Sequence, residues 1–173
     1  MSAKLPDEER TDAEMRVAWQ RATTETRAVL RQASAAWARH SCPGTAECCQ
    51  LAVTKRPPWL WPSEWKVLEA RMKRDGRGVP TARGDGGCPF LDAQGGRCTV
   101  YEDRPLGCRT YFCHRIVGPA KVPGEETNAL LDRLRALNVA VDDGAAPRSI
   151  LDWVAIGLPS PRPSPPRGEG VSR

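Results

Sequence analysis

The sequence is poor in the residues that usually fill a large hydrophobic core. It has only two Phe and two Tyr. Leu, Ile, Val and Phe together account for 30 of its 173 residues, or 17%. Chains with so small a share have difficulty burying enough apolar surface to fold alone. Six tryptophans compensate in part. We therefore expect a small fold that depends on a further source of stability.

Long apolar runs are also missing. No stretch approaches the roughly 18 apolar residues needed to span a bilayer, and residues 1–10 have no apolar centre of the kind found in secretion signals. We therefore expect a cytoplasmic protein that does not enter a membrane. The net charge is +5, but acidic residues are interspersed with the basic ones. Without a dense basic patch, the sequence argues against a nucleic-acid partner.

Seven cysteines stand out against this background. The first cysteine segment contains Cys42, Cys48 and Cys49, and the second contains Cys88, Cys98, Cys108 and Cys113, followed by His114. Thiols in the cytoplasm are normally kept reduced, so such a dense set is typical of metal binding or redox chemistry. Glycines between the cysteines allow the backbone to turn back toward one centre. We predict that all seven cysteines are candidate metal ligands.

The donor atoms favour particular metals. Soft thiolates select zinc or iron, including an iron–sulfur cluster, over Mg²⁺ or Ca²⁺. Zinc and iron–sulfur clusters both take four cysteine ligands, so the spacing does not choose between them. One four-ligand site with spare cysteines and a two-metal cluster both fit the count. Redox thiols without metal and inert buried cysteines stay open as alternatives.

Some neighbouring residues have two interpretations. In extended backbone, adjacent side chains point to opposite faces, so we expect Cys48 and Cys49 not to share one ion. Arg104 and Arg109 flank Cys108, where they would lower thiol pKa values or form surface ion pairs with acidic neighbours. The sequence favours a hydrogen-bonded or solvated His114 over a ligand. The same holds more strongly for His40.

The periodicity predicts a mainly α, small single domain, with a few helices around an irregular cysteine-rich loop region. Residues 1–40 contain an amphipathic helix over 11–39, with a capping box formed by Thr11 and Glu14. Residues 41–158 form the cysteine-cluster metal-binding domain, and the Pro-, Arg- and Ser-rich residues 159–173 are predicted to be disordered. Within the central domain we predict helices over 64–74 with Ser63 as N-cap, over 125–137 with Asn138 as C-cap, and over 149–156 with Ser149 and Asp152 at capping spacing.

The second cysteine segment carries a recognisable pattern. It reads Cys88-Pro89-Phe90-Leu91, then Cys98-Thr99-Val100-Tyr101 before Arg104-Pro105, then Cys108-Arg109. In this pattern, over about residues 40–115, the chain resembles the YkgJ-like cysteine-cluster family, a zinc- or iron-chelating domain with an N-terminal CxxCxxCC motif. The resemblance implies metal chelation and specifies no reaction.

The first cysteine segment departs from the family motif. Cys42, Cys48 and Cys49 match its first, third and fourth cysteines, while Thr45 stands in place of the second. A hydroxyl is a poor substitute for a soft thiolate. The resemblance therefore leaves three outcomes open: weaker metal binding, a site completed by Cys113 or His114, or no metal binding.

Three functions fit these observations. We expect a cytoplasmic metal-binding protein whose biochemical role the sequence does not specify. An iron–sulfur oxidoreductase or group-transfer enzyme is an alternative, although a P-loop and a glycine-rich dinucleotide fingerprint are both missing. A metal-stapled interaction module, whose long N-terminal helix binds a protein partner, is another.

Overall fold

The computed structural model describes residues 11–41, 45–110 and 117–157. The predicted disordered tail, Cys42, Cys113 and His114 lie outside the described residues. The described chain forms six α-helices and one two-stranded sheet, which confirms the mainly α prediction. The elements are α1 (Asp12–Ala36), α2 (Leu51–Thr54), β1 (Trp59–Leu60), α3 (Pro62–Arg74), α4 (Leu106–Arg109), α5 (Gly124–Val139), β2 (Arg148–Ser149) and α6 (Ile150–Gly157). Across these ranges, no helix has both the length and the hydropathy to cross a bilayer.

Helix α1 begins at the capping box that the sequence predicts. The Glu14 backbone N–H donates to the Thr11 Oγ1 at 3.3 Å, and the Thr11 N–H donates to the Glu14 carboxylate at 2.9 Å. The helix ends at Ala36, slightly before the predicted end. Its buried face packs against α3, α4 and α5, so most of its apolar stripe is used inside the domain.

Helix α3 begins earlier than the sequence predicts. Its N-cap is Trp61 and its first residue is Pro62, so the assignment of Ser63 as N-cap is wrong. Proline suits the first helical position because its missing N–H would have no intrahelical acceptor there. The predicted end is confirmed at Arg74, and Gly76 follows with φ of +65°.

A buried polar network explains the roles of two residues that the sequence assigns to helix ends. Ser63 Oγ accepts hydrogen bonds from Thr26 Oγ1 at 2.7 Å and from Asn138 Nδ2 at 2.9 Å. Asn138 Oδ1 accepts the Ser63 backbone N–H at 2.9 Å. All three residues are fully buried. The prediction of Asn138 as a C-cap is wrong, because it lies within α5 and joins α5 to α1 and α3.

The apolar core consists of two clusters on either side of α3. Leu68 belongs to the cluster that includes the second cysteine segment and α6, whereas Val67 belongs to the cluster formed with α1, α4 and α5. In the first cluster, the Trp65 and Trp153 rings stack with centroids 5.7 Å apart. The small apolar content is thus divided over two faces of one helix.

A short sheet closes the domain. Trp59 pairs with Ser149 in antiparallel β1–β2. Helix α6 follows β2, and its predicted cap is confirmed because Ser149 Oγ accepts the Asp152 backbone N–H at 3.2 Å. The pairing carries α6 onto the same core as the second cysteine segment.

One buried carboxylate connects α3 to α4. Glu64 accepts the Trp61 N–H at 2.9 Å with one oxygen and the Leu106 N–H at 2.8 Å with the other. Burial raises the pKa of Glu64 to about 7, although both hydrogen bonds favour the charged form. Because α4 carries Cys108, this carboxylate also fixes one wall of the cysteine region.

We predict that Glu64 makes stability depend on pH. Its pKa is higher in the folded state than in the unfolded chain, so folding binds a proton between the two values. The stabilising contribution is present below about pH 4.5 and is lost as pH rises through about 7, a change of roughly 3 kcal/mol. Urea unfolding between pH 4 and 8 measures it. Glu64→Gln should remove this part of the slope; a variant whose unfolding free energy changes with pH in parallel with the parent would contradict the assignment.

Candidate metal centre

Backbone hydrogen bonds join the two cysteine segments directly. The Cys88 N–H donates to the Cys49 carbonyl at 2.7 Å, and the Ala52 N–H donates to the Gly86 carbonyl at 2.9 Å. Cys48 and Cys49 lie in a 3₁₀ turn, Glu47–Cys49, immediately before α2. The fold therefore places the end of the first segment against the start of the second.

The second segment folds back on itself in a narrow loop. Leu91 and Cys98 form an isolated antiparallel bridge, and the Thr99 N–H donates to the Phe90 carbonyl at 2.8 Å. These contacts bring Cys98 back toward Cys88. Cys108 comes from α4, a short helix within the region that the sequence indicated was irregular.

An ion pair stabilises the approach to Cys88. The Arg83 guanidinium donates to both oxygens of Asp85, with the shortest distance 2.7 Å, and to the Asp92 carbonyl at 2.6 Å. Asp85 also accepts the Gly87 N–H at 2.9 Å. The Arg83 hydrogen bond, followed by that from Gly87, lowers the pKa of Asp85 to about 2. The loop before Cys88 is thus held from both sides.

All five described cysteines line one cavity of about 530 Å³. They are Cys48, Cys49, Cys88, Cys98 and Cys108. Thr45, the residue in place of the family cysteine, is exposed and does not line it. The structure therefore brings together the described members of the predicted ligand set, while Cys42 and Cys113 lie outside the described residues.

The adjacent cysteines do not point apart as we expected. They lie in a 3₁₀ turn instead of extended backbone, and their sulfur atoms are 3.8 Å apart. In a tetrahedral zinc site with Zn–S bonds of about 2.3 Å, neighbouring sulfurs are also about 3.8 Å apart. The spacing of Cys48 and Cys49 therefore suits two ligands of one ion.

The remaining thiols line the same cavity without closing around a point. Within residues 11–41, 45–110 and 117–157, no three His, Cys, Asp or Glu side chains form a group that could hold a metal ion. The donor chemistry nevertheless suits zinc or iron, because the described cavity lining has five thiols and no carboxylate, whereas hard metals such as Mg²⁺ and Ca²⁺ prefer oxygen ligands. A four-sulfur site would need further thiols to approach the Cys48–Cys49 pair.

The surroundings of the thiols shift their pKa values in different directions. A hydrogen bond from the Cys49 thiol lowers the pKa of Cys48 to about 6, with help from its own backbone N–H and from Arg104. Sharing that proton raises the pKa of Cys49. Burial raises the pKa of Cys88 to about 11, and desolvation likewise raises the pKa values of Cys98 and Cys108. Cys48 is therefore the thiol best disposed to ionise first.

The contacts of Arg104 and Arg109 differ from the surface ion pairs that one interpretation of the sequence suggested. Asp103 pairs with Arg71 and Arg74, at 3.1 and 3.4 Å. Arg104 instead lines the cavity, with its guanidinium carbon 3.7 Å from the centre of the Tyr101 ring. Arg109 donates from Nε to the Arg104 carbonyl at 2.8 Å. Both arginines thus belong to the cavity wall.

Sequence reasoning missed several residues of this wall. Trp37 and His40, which follow α1, line the cavity together with Arg56, which precedes two prolines. The His40 Nε2 lies 3.2 Å from the Pro119 carbonyl. The Arg-Pro-Pro turn was the signal available, since a rigid turn beside the cysteines can present a side chain to them.

We predict that Gly86 is required for the junction of the two segments. Its φ is +69°, and a Cβ there would lie 2.7 Å from the Ala52 Cβ. Gly86→Ala should therefore lower the free energy of unfolding by about 2–4 kcal/mol. It should also reduce metal content. Gly84→Ala is the matched control because a Cβ at Gly84 meets nothing within 4 Å. Equal stability of the two variants in urea unfolding would show that the junction is not needed.

The comparison with protein families agrees with this geometry. Residues 40–130, more than half of the chain, match the model of the CxxCxxCC family, described as a putative zinc- or iron-chelating domain. The matched range contains every cysteine of the sequence. Nothing among curated proteins matches the chain, and no solved structure matches it. The chain belongs to the CxxCxxCC family.

Proposed function

We propose that this chain is a cytoplasmic metal-binding protein that holds zinc or iron with thiolates from both cysteine segments. The observation that carries the proposal is the convergence of five cysteines on one cavity. The family description supports the choice of metal. The Cys48–Cys49 pair would supply two sulfurs, and Cys88, Cys98 and Cys108 are the nearest described candidates for the others. Cys42 and Cys113 complete the proposed ligand set.

The cavity composition supports bound metal over free redox thiols. The adjacent pair has the sulfur spacing of a metal-bound pair, and the other thiols are desolvated together around the same space. Burial keeps the Cys88, Cys98 and Cys108 thiols protonated and therefore poor nucleophiles until a metal binds, and Cys48 is the described thiol disposed to ionise without one. Bound zinc would stabilise a fold with two small apolar clusters, whereas an iron–sulfur centre would add electron transfer.

The direct test is metal analysis of anaerobically purified protein. We expect near-stoichiometric zinc in a colourless protein, or iron with visible absorbance that dithionite bleaches. The second result would favour the iron–sulfur alternative and the first a structural or chelating site. Zinc and iron both far below one equivalent, with free thiols that cycle to disulfides, would favour redox chemistry and contradict the proposal.

Substitution of single cysteines tests the ligand set. Cys98→Ser should weaken metal binding by at least about tenfold, since even residues that only orient metal ligands cost that much when changed. It should also lower the melting temperature, because metal binding is coupled to folding. Thr45→Ala is the control, since Thr45 is exposed and outside the cavity. Metal content and melting temperature that are unchanged in Cys98→Ser would remove Cys98 from the ligand set.

A further inference from the structure

The cavity beside the thiols is larger than a metal ion needs. Its volume of about 530 Å³ lies within the range of about 300–1,000 Å³ of small-molecule sites. A single water molecule takes roughly 30 Å³ in the liquid. Much of the remaining wall is apolar or aromatic, including Trp37, Pro58 and Tyr101. The space can therefore hold an organic molecule next to the sulfur atoms.

Apart from the thiols, the charged residues on the wall are all basic. Arg56, Arg104 and Arg109 line the cavity, and no Asp or Glu is present among its described lining residues. Some arginines outside the cavity pair with carboxylates: Arg83 pairs with Asp85, and Arg133 with Glu25, at 2.7 and 2.9 Å. The cavity thus gathers three guanidinium groups, and only the thiols can supply negative charge from its described lining.

The three arginines differ in what they can offer a ligand. Arg109 is engaged, because its guanidinium donates to the Arg104 carbonyl, to Ser34 and to the Glu102 carbonyl. Arg104 is different: its guanidinium lies over the Tyr101 ring, and its Nε is buried without a hydrogen-bond partner in the described structure. A buried donor without a partner is costly. Arg56 is exposed and lines the same space.

We propose that this cavity binds a small organic anion, a carboxylate or phosphate ester with an aromatic or similarly apolar body. Arg104 binds the anionic group from inside and Arg56 assists from the exposed side. The body packs against Trp37, Pro58 and Tyr101. Guanidinium groups suit both carboxylates and phosphates because they present paired donors. The proposal goes beyond metal binding and does not depend on which metal the thiols hold.

A competing role for Arg104 is to neutralise the thiolates. In that role it would change metal affinity and leave the binding of added anions unaffected. Arg104 does help to lower the pKa of Cys48, so the two roles have to be separated by measurement. An anion site requires the arginine to contact the added molecule.

Calorimetric titration of the reduced full-length chain separates the roles. The probes are benzoate and phenyl phosphate, with benzyl alcohol as the neutral control. We expect saturable one-to-one binding of at least one anion and none of the alcohol; the preferred anion identifies the headgroup. Arg104→Gln should weaken binding by about tenfold or more. Arg56→Gln should also weaken it, and Arg135→Gln, at an exposed position on α5, should not.

Three results would overturn the proposal: no saturable binding of either anion, equal binding of the alcohol, or probe affinity unchanged in both cavity variants while Arg104→Gln lowers metal content. Because Arg56 is exposed, Arg56→Gln keeps the test decisive if Arg104→Gln does not fold. Metal is measured in the same samples. A chain that holds metal and binds no probe overturns the anion site alone, whereas one that binds a probe without zinc or iron overturns the metal function alone.

Discussion

The hydrogen bond from the Cys88 N–H to the Cys49 carbonyl, 2.7 Å long, ties together two stretches of chain that are distant in sequence. Gly86 allows the two segments to approach this closely, because Ala52 leaves no room for a Cβ at position 86. This junction brings the two cysteine segments to the same cavity. The first segment contributes an adjacent pair of thiols, and the second returns through a bridge that carries Cys98 to the same cavity.

The helices form walls of the cavity beside this junction. Helix α3 lies between the two apolar clusters, and its buried Glu64 binds the backbone at the start of α4, which carries Cys108. Trp37, the C-cap of α1, also lines the cavity. The two apolar clusters are small, so little buried apolar surface stabilises the fold around the cavity. The free energy of metal binding would therefore stabilise a region that has only a small apolar core.

The cavity also combines soft donors with positive charge. Thiolates that hold a divalent metal leave net negative charge, and the nearby arginines reduce the cost of gathering those thiolates in a desolvated space. Arg104 has capacity beyond that role because its Nε is buried without a partner in the described structure. The described cavity wall thus carries both soft sulfur donors and guanidinium groups.

The sequence predicted local structure well where the signal is local. The Thr11–Glu14 capping box and the Ser149–Asp152 cap depend on residues three positions apart, and both are present. It failed where a distant partner decides the role of a residue. Asn138 resembles a C-cap in sequence, yet its amide is bound to Ser63 across two helices.

The sequence predicted which cysteines belong to the candidate site but not how they are arranged. Cysteine content and the family pattern identified the thiols, and convergence of the five described ones followed the expectation that the segments meet. The direction of the adjacent pair was misjudged because both cysteines lie in a 3₁₀ turn, which the sequence analysis did not predict. Arg56 and Trp37 were missed since neither belongs to a cysteine motif.

The most direct test of the central claim is cadmium-113 NMR of the chain loaded with Cd²⁺ as a thiolate-seeking substitute for zinc. Proton–cadmium correlations assign each cysteine whose sulfur binds the metal. We expect one cadmium resonance to correlate with β-protons of Cys48 or Cys49 and also with those of Cys88, Cys98 or Cys108. Correlations confined to one cysteine segment, or no bound cadmium, would contradict the claim that the two segments share an ion.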